Sequence, residues 1–231
     1  MKKIYLITRQ NNFFFNSHLN IFKKLNISYT GVIVDKKKYT KDQKKNILSR
    51  IDIKLFDISP LRDKKIYYIN HNSKEFISFL KNNNAELLIN LGTPRIFNKL
   101  QIKNLPPILN CHPGILPYYK GCSTPEWAFL NKDNVGGTVH LMNEKIDDGK
   151  ILFTKIFKKK KFKNYKEFRT YVHLSCIKFY CRVIKIIIST PSIDRIIHKK
   201  VAINSENGKY WKPMNKLNFE KLIKFIEKSY Q

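Results

Sequence analysis

Glycine is scarce in this chain, with eight in 231 residues. The place where its absence matters most is the turn after the first strand-like run, Lys3–Thr8. That turn reads Arg9-Gln10-Asn11-Asn12-Phe13. A backbone cradle that wraps a phosphate needs glycine for close approach, so the Gly-rich type of nucleotide loop is excluded there. Cysteine is also sparse: Cys111, Cys122, Cys176 and Cys181, no two of them at CxxC spacing. With no secretion-like start, this argues against a disulfide framework or a zinc site. No metal is expected, and a reduced, cytoplasmic setting is. Long apolar runs are missing as well. The most apolar segment, 172–188, is interrupted by Lys178, Arg182 and Lys185, which makes it an amphipathic helix rather than a membrane span.

Acidic residues are few, 17 against 45 basic ones, for a formal net charge of +28. Such a charge suits polyanions. Yet only seven of the 45 are Arg, the residue best shaped for phosphate forks and base edges, and the Lys are spread along the whole chain. This distribution reads as compositional background. A nucleic-acid substrate is therefore disfavoured, and an anionic small substrate such as a nucleotide sugar fits equally well.

What is present is an alternation of strands and helices. Strand-like runs at Lys3–Thr8, Ile27–Val34, Ile66–Ile69, Glu86–Leu91 and Ile108–Asn110 alternate with helical patterns at Ser17–Leu25, Ser73–Leu80 and Pro94–Leu100. Ser73 suits a helix cap and Pro94 a helix start. Asp35–Asn46 reads as a solvated loop or helix face. The run Glu86–Leu91 is continuously apolar, as in a strand covered on both faces. These features predict an α/β fold with an open, mostly parallel, Rossmann-like sheet, whose ligands bind beyond the carboxyl ends of its strands. Further on, Thr124–Asn131 and Asn164–Ile188 read as helices, and Thr138–Met142 and Ile151–Phe157 as strands. Lys158–Lys163 reads as an exposed turn. The expected division is 1–188 as the main domain and 189–231 as an appendage, with a hairpin at NSENGKYW and a helix from Asn218.

The candidate chemistry lies in Ile108–Gly121 (ILNCHPGILPYYKG) and Gly136–Leu152 (GGTVHLMNEKIDDGKIL). In extended backbone alternate residues share a face, so Asn110 and His112 point together and Cys111 points away. An amide N–H holds an oxyanion, an imidazole moves a proton, and a carboxylate orients the imidazole or takes the proton. Asp147 and Asp148 are the carboxylates available. A structural Asn with a hydrogen-bonded core His is the competing reading of the same residues.

The wider string, NCHPGILPYYKG followed by STPEWAFLNKD, GGTVH and IDDG, resembles the folate-dependent formyltransferase family. The likeness is close over about 85–155 and loose over the first 80 residues. It implies a formyltransferase that uses N10-formyltetrahydrofolate as co-substrate, with Asn110, His112 and Asp147 as the catalytic residues. Asp147 matches the family position better than Asp148. The resemblance further implies Arg95, Ile96 and Phe97 on one side of the folate and Met142 and Asn143 on the other. Tyr119, Lys120 and Trp127 would fall on the acceptor side, where Lys120 is either a phosphate contact or simply solvated. His140 reads as structural. The expected reaction is N-formylation of a nucleotide-linked amino sugar, as in O-antigen or polysaccharide biosynthesis. The glycine-free first loop departs from the ribonucleotide formyltransferases, and the tail lacks the span of an added β-barrel domain. Formylation of methionyl-tRNA or glycinamide ribonucleotide, and a non-enzymatic folate- or nucleic-acid-binding module, stay open, as does a homodimer.

Overall fold

A computed structural model describes residues 2–61, 65–190 and 208–230. Strand β1 (Ile4–Arg9) leads to α1 (Phe15–Lys24), then β2 (Gly31–Asp35), α2 (Lys41–Arg50), a short 3-10 turn, β3 (Ile66–Tyr68) and α3 (Lys74–Asn82). Next come β4 (Leu87–Asn90), α4 (Lys99–Asn104), β5 (Ile108–His112), β6 (Lys120–Gly121), α5 (Thr124–Leu130), β7 (Gly136–Leu141), β8 (Ile151–Ile156) and α6 (Tyr165–Ser189). The chain ends in β9 (Tyr210–Trp211) and α7 (Lys216–Tyr230).

Seven strands form one sheet in the order β3-β2-β1-β4-β5-β7-β8. The first five are parallel, β7 runs antiparallel to β5, and β8 runs antiparallel to β7. The continuous apolar runs have the expected cause. Alternate residues of one strand feed two cores, with Ile4, Leu6, Leu87 and Ile89 packed toward α1 and α6. Tyr5, Ile7, Leu88 and Ile108 pack on the other face with Phe76 and Leu80 of α3. The tail helix α7 adds Leu222 and Ile226 to the first of these cores.

Local chemistry sets the helix starts. The Ser73 hydroxyl accepts from the Phe76 amide, and the Asn164 side chain accepts from Glu167 N. Thr40 with Gln43, and Asn98 with Gln101, close reciprocal capping boxes. The second box corrects one expectation. The helix after Gly92 begins at Lys99, not at Pro94, because Asn98 supplies the cap. Residues 93–98 are therefore a loop, available to line a site. Strand β5 also runs two residues further than Asn110, since His112 pairs with Thr138 across the β5–β7 ladder. None of the residues of α2 is buried, so it is the solvated helix face of the two alternatives. The first half of the hairpin expected at NSENGKYW, residues 204–207, lies outside the described residues. Its Tyr210 and Trp211 pair in parallel with Lys120 and Gly121.

Candidate active site

At the carboxyl end of β5, Asn110 and His112 share one face while Cys111 turns toward Cys176 of α6. Pro113-Gly114 then folds the chain back over the imidazole. A Cβ at Gly114 would lie 2.7 Å from His112 Nε2 and 2.6 Å from the Tyr119 carbonyl, so only glycine fits this crossing. His112 is 5% exposed. Its Nε2–H donates to the Tyr119 carbonyl oxygen at 2.7 Å, and its Nδ1 stands 3.2 Å from Asp147 Oδ2. Both ring nitrogens thus face oxygens. A carbonyl only accepts, so Nε2 carries a proton, and Nδ1 faces the carboxylate. Burial pulls the His112 pKa down, and the Asp147 charge and the Tyr119 carbonyl push it back up.

Asp147 reaches this position from a loop, in left-handed backbone with φ of 52°. Non-glycine residues adopt that region uncommonly, Asp and Asn more readily than most. The Gly121 amide donates to its Oδ2 at 3.0 Å, and its Oδ1 is 3.8 Å from His140 Nε2. Its neighbour Asp148 turns the other way and pairs with Lys120. That pairing corrects the solvated reading of Lys120.

A cavity of about 150 Å³ opens beside these groups. Asn110, His140 and Asp147 lie on one side, with Arg95, Ile96, Phe97 and the run Met142–Ile146 around it. His112 does not line it; it reaches the cavity through Asp147. The structural reading of His140 is thereby modified: His140 sits on the cavity wall, and His112 sits behind the carboxylate. Burial lowers the His140 pKa to about 4, against the Asp147 charge, which raises it. It is neutral at ordinary pH.

Arg95 is held from behind. Its Nε and Nη2 donate to the two oxygens of Asp35 at 2.7 and 3.0 Å, a bidentate pair at the end of β2. Asp35 also accepts from the amides of Lys37 and His71. Burial acts to raise its pKa, but these donors outweigh it and hold the carboxyl at about 2. Asp35, and Asn90 at the end of β4, escaped the sequence reading. Their one signal is a polar residue closing an apolar strand. Asp35→Ala leaves Arg95 without its partner beside a buried site. Arg95 keeps partial access to solvent, so denaturant titration is expected to show a loss of about 1–3 kcal/mol, the scale of leaving the Lys37 and His71 amides and the guanidinium without their acceptor.

An open depression of about 520 Å³ shares Lys145 and Ile146 with the 150 Å³ cavity and is lined also by Lys120, Asp148 and Tyr210. Tyr119 and Trp127 do not line it. Each packs against Trp211, with ring centroids 5.3 and 5.0 Å apart, and so seats the tail segment on α5. Burial pushes the Tyr119 hydroxyl up to about 12, and it donates to Asp133. A third cavity, of about 230 Å³, is walled by Phe129, Phe157, Phe162 and Phe168, and none of Asn110, His112 or Asp147 borders it. Among the described residues, no group of three or more His, Cys, Asp or Glu is placed to hold a metal, and no helix is long and apolar enough to cross a membrane.

A family model described as formyl transferase matches residues 1–183. Methionyl-tRNA formyltransferase of Borrelia hermsii (strain HS1 / DAH) is 32% identical over 105 residues, covering 45% of this chain and 34% of that protein. GDP-perosamine N-formyltransferase of Brucella melitensis is 34% identical over 86 residues, 35% of this chain and 32% of that protein. The matched stretch thus spans about a third of the length of these curated relatives. Among solved structures, a sugar N-formyltransferase from Shewanella sp shares the fold with a TM-score of 0.61 at 19% identity, covering 97% of this chain and 87% of that one.

Proposed function

Because the chain belongs to the formyl transferase family, we propose that it moves a formyl group from N10-formyltetrahydrofolate to the amine of a nucleotide-linked amino sugar. The observation that carries this reading is the 150 Å³ cavity, where Asn110 and Asp147 meet the 95–97 loop on one lining. In the proposed reaction the amine nitrogen attacks the formyl carbon and the carbonyl electron pair moves to oxygen. An Asn110 N–H holds that oxyanion. The proton leaving the nitrogen passes to the Asp147 carboxylate, which His112 holds in place. Collapse breaks the bond to N10, and the same proton returns to the departing nitrogen.

The folate takes the cavity bounded by Arg95, Ile96, Phe97, Met142 and Asn143. Ile96 is 68% exposed and offers a free apolar face, while Phe97 is buried against Phe76 and supports the loop from beneath. The acceptor takes the open depression, where Lys120 and Lys145 supply positive charge for a diphosphate and Tyr210, half exposed, supplies a ring for a base. Tyr119 and Trp127 serve that side through Trp211 and the tail. The net charge of +28 keeps a second reading in play, formylation of an aminoacyl-tRNA.

One assay separates them. The protein is supplied with N10-formyltetrahydrofolate and a panel of nucleotide-linked amino sugars, glycinamide ribonucleotide and charged initiator tRNA. Formylation of a sugar nucleotide is expected. Activity on tRNA alone, falling steeply with salt, would replace the proposed acceptor. No formylation of any acceptor would remove the enzymatic reading.

A further inference from the structure

The orientation of the Asn110 amide follows from bonds that allow only one assignment. The amides of Gly92 and Thr93 both point at Asn90 Oδ1, at 2.9 and 2.8 Å. Backbone N–H groups only donate, so the Asn90 atom they face is oxygen. Its NH2 therefore faces the other way, toward Asn110 at 2.9 Å and Met142 Sδ at 3.8 Å. The Asn110 atom that receives this bond must be its oxygen. That leaves the Asn110 NH2 directed at His140 Nε2, 3.1 Å away, and at the cavity.

His140 agrees from the opposite side. Its Nδ1 lies 3.1 Å from the Leu141 carbonyl, which only accepts, so the proton sits on Nδ1. Nε2 of the neutral ring is then a lone pair that takes one Asn110 hydrogen. The second Asn110 hydrogen is left for the cavity.

We propose that Asn90 is a positioning residue that sets which way round the Asn110 amide stands, and thereby aims an Asn110 N–H at the reacting carbonyl oxygen. This rests on the formyl-transfer reading and deepens it. It also joins two parts of the site. The Gly92–Thr93 amides that fix Asn90 begin the loop that carries Arg95, Ile96 and Phe97. Gly92 makes that loop possible, with φ of 119°, and a Cβ there would collide with Asn12. One side chain thus registers the folate loop against the oxyanion donor.

The decisive variant is Asn90→Asp. It is isosteric and still accepts from Gly92 and Thr93, but it has no hydrogen for Asn110. The Asn110 amide then turns to donate to the new carboxylate and presents its oxygen to the cavity. The kcat is expected to fall on the order of 10²–10³-fold, the scale of a lost oxyanion donor, while tetrahydrofolate affinity, read by fluorescence titration, changes less than about twofold. Adding Asn110→Ala to Asn90→Asp should cost no more than Asn110→Ala alone, because both act through one N–H. Nitrogen-15 shifts of His140 report the orientation without turnover. Nδ1–H is expected in the parent protein and Nε2–H in the Asn90→Asp protein.

An unchanged kcat overturns the proposal, and so do additive losses. A lower kcat with an unchanged His140 tautomer does too, since the added charge alone would then explain the loss. If Asn90→Asp fails to fold, Nε2–H in the parent protein is the overturning result. If the parent protein formylates nothing, the functional reading falls, and the tautomers still decide the orientation of Asn110.

Discussion

Asp147→Asn is expected to lower kcat by about 10²–10⁴-fold, the range supplied by a positioned acid–base group, with the melting temperature nearly unchanged. The choice of Asn follows from the backbone. Asp147 stands at φ 52°, a region that Asn tolerates and Ala does not. Asp147→Ala would mix catalytic loss with strain in the 142–149 loop. In the Asn variant an amide oxygen still accepts from Gly121 N, so the loop keeps its anchor. What disappears is the carboxylate facing His112 Nδ1 at 3.2 Å and, with it, the place where the amine proton goes. The measurement is kcat and KM with the acceptor that the formylation panel identifies, beside a thermal melt. Turnover within about threefold of the parent would show that His112 acts without Asp147 and would remove the proton route argued here.

The second large effect is on stability. Between pH 6.5 and 4 the folded protein is expected to lose several kcat-independent kilocalories per mole, enough to unfold it near the lower end. His18, His71 and His140 are buried, and burial lowers each pKa to about 4 from an ordinary 6.5. His18 and His71 use ring nitrogens on the Phe14 carbonyl and on Thr93, and His140 on the Leu141 carbonyl, so each has a place as a neutral ring. The sign follows from proton counting. Between pH 6.5 and 4 the unfolded chain holds these protons and the folded chain does not, so acid favours unfolding. Each group contributes on the order of 3 kcal/mol across that window. The contribution is complete above about pH 6.5 and lost as pH falls toward 4. His173, half-buried and stacked on Phe14, is pulled down in the same direction by its desolvation. Asp35 adds a later loss. Its pKa is held at about 2 by Arg95 and two amides, so its share persists above 3.8 and goes between 3.8 and 2. Urea midpoints at pH 7.5, 6.5, 5.5 and 4.5 test this. A flat series would mean that the imidazoles are solvated.

The sequence by itself determined the α/β class, because continuous apolar runs such as Leu87-Leu88-Ile89, as in strands covered on both faces, alternate along the chain with helical patterns. It also determined that Asn110 and His112 share one face of β5, since a two-residue period puts them there whatever surrounds them. The pairing of that face with the IDDG loop was legible through the resemblance alone, and the structure brings Asp147, not Asp148, to His112. Only the tertiary structure decided the rest. Asp35 and Arg95 lie 60 residues apart, and their bidentate pair arises because β2 and the loop after β4 end on the same edge of the sheet. Local propensity could not separate a helix starting at Pro94 from one starting at Lys99, because the capping box at Asn98 acts only once the loop before it is tied down. The resemblance singled out His112 and left His140 as structural, yet it is His140 that lines the cavity. Both stand on adjacent strands near one carboxylate, and the β5–β7 register sets His140 beside Asn110 and His112 beside Thr138, an arrangement between strands distant in the chain that local sequence does not carry.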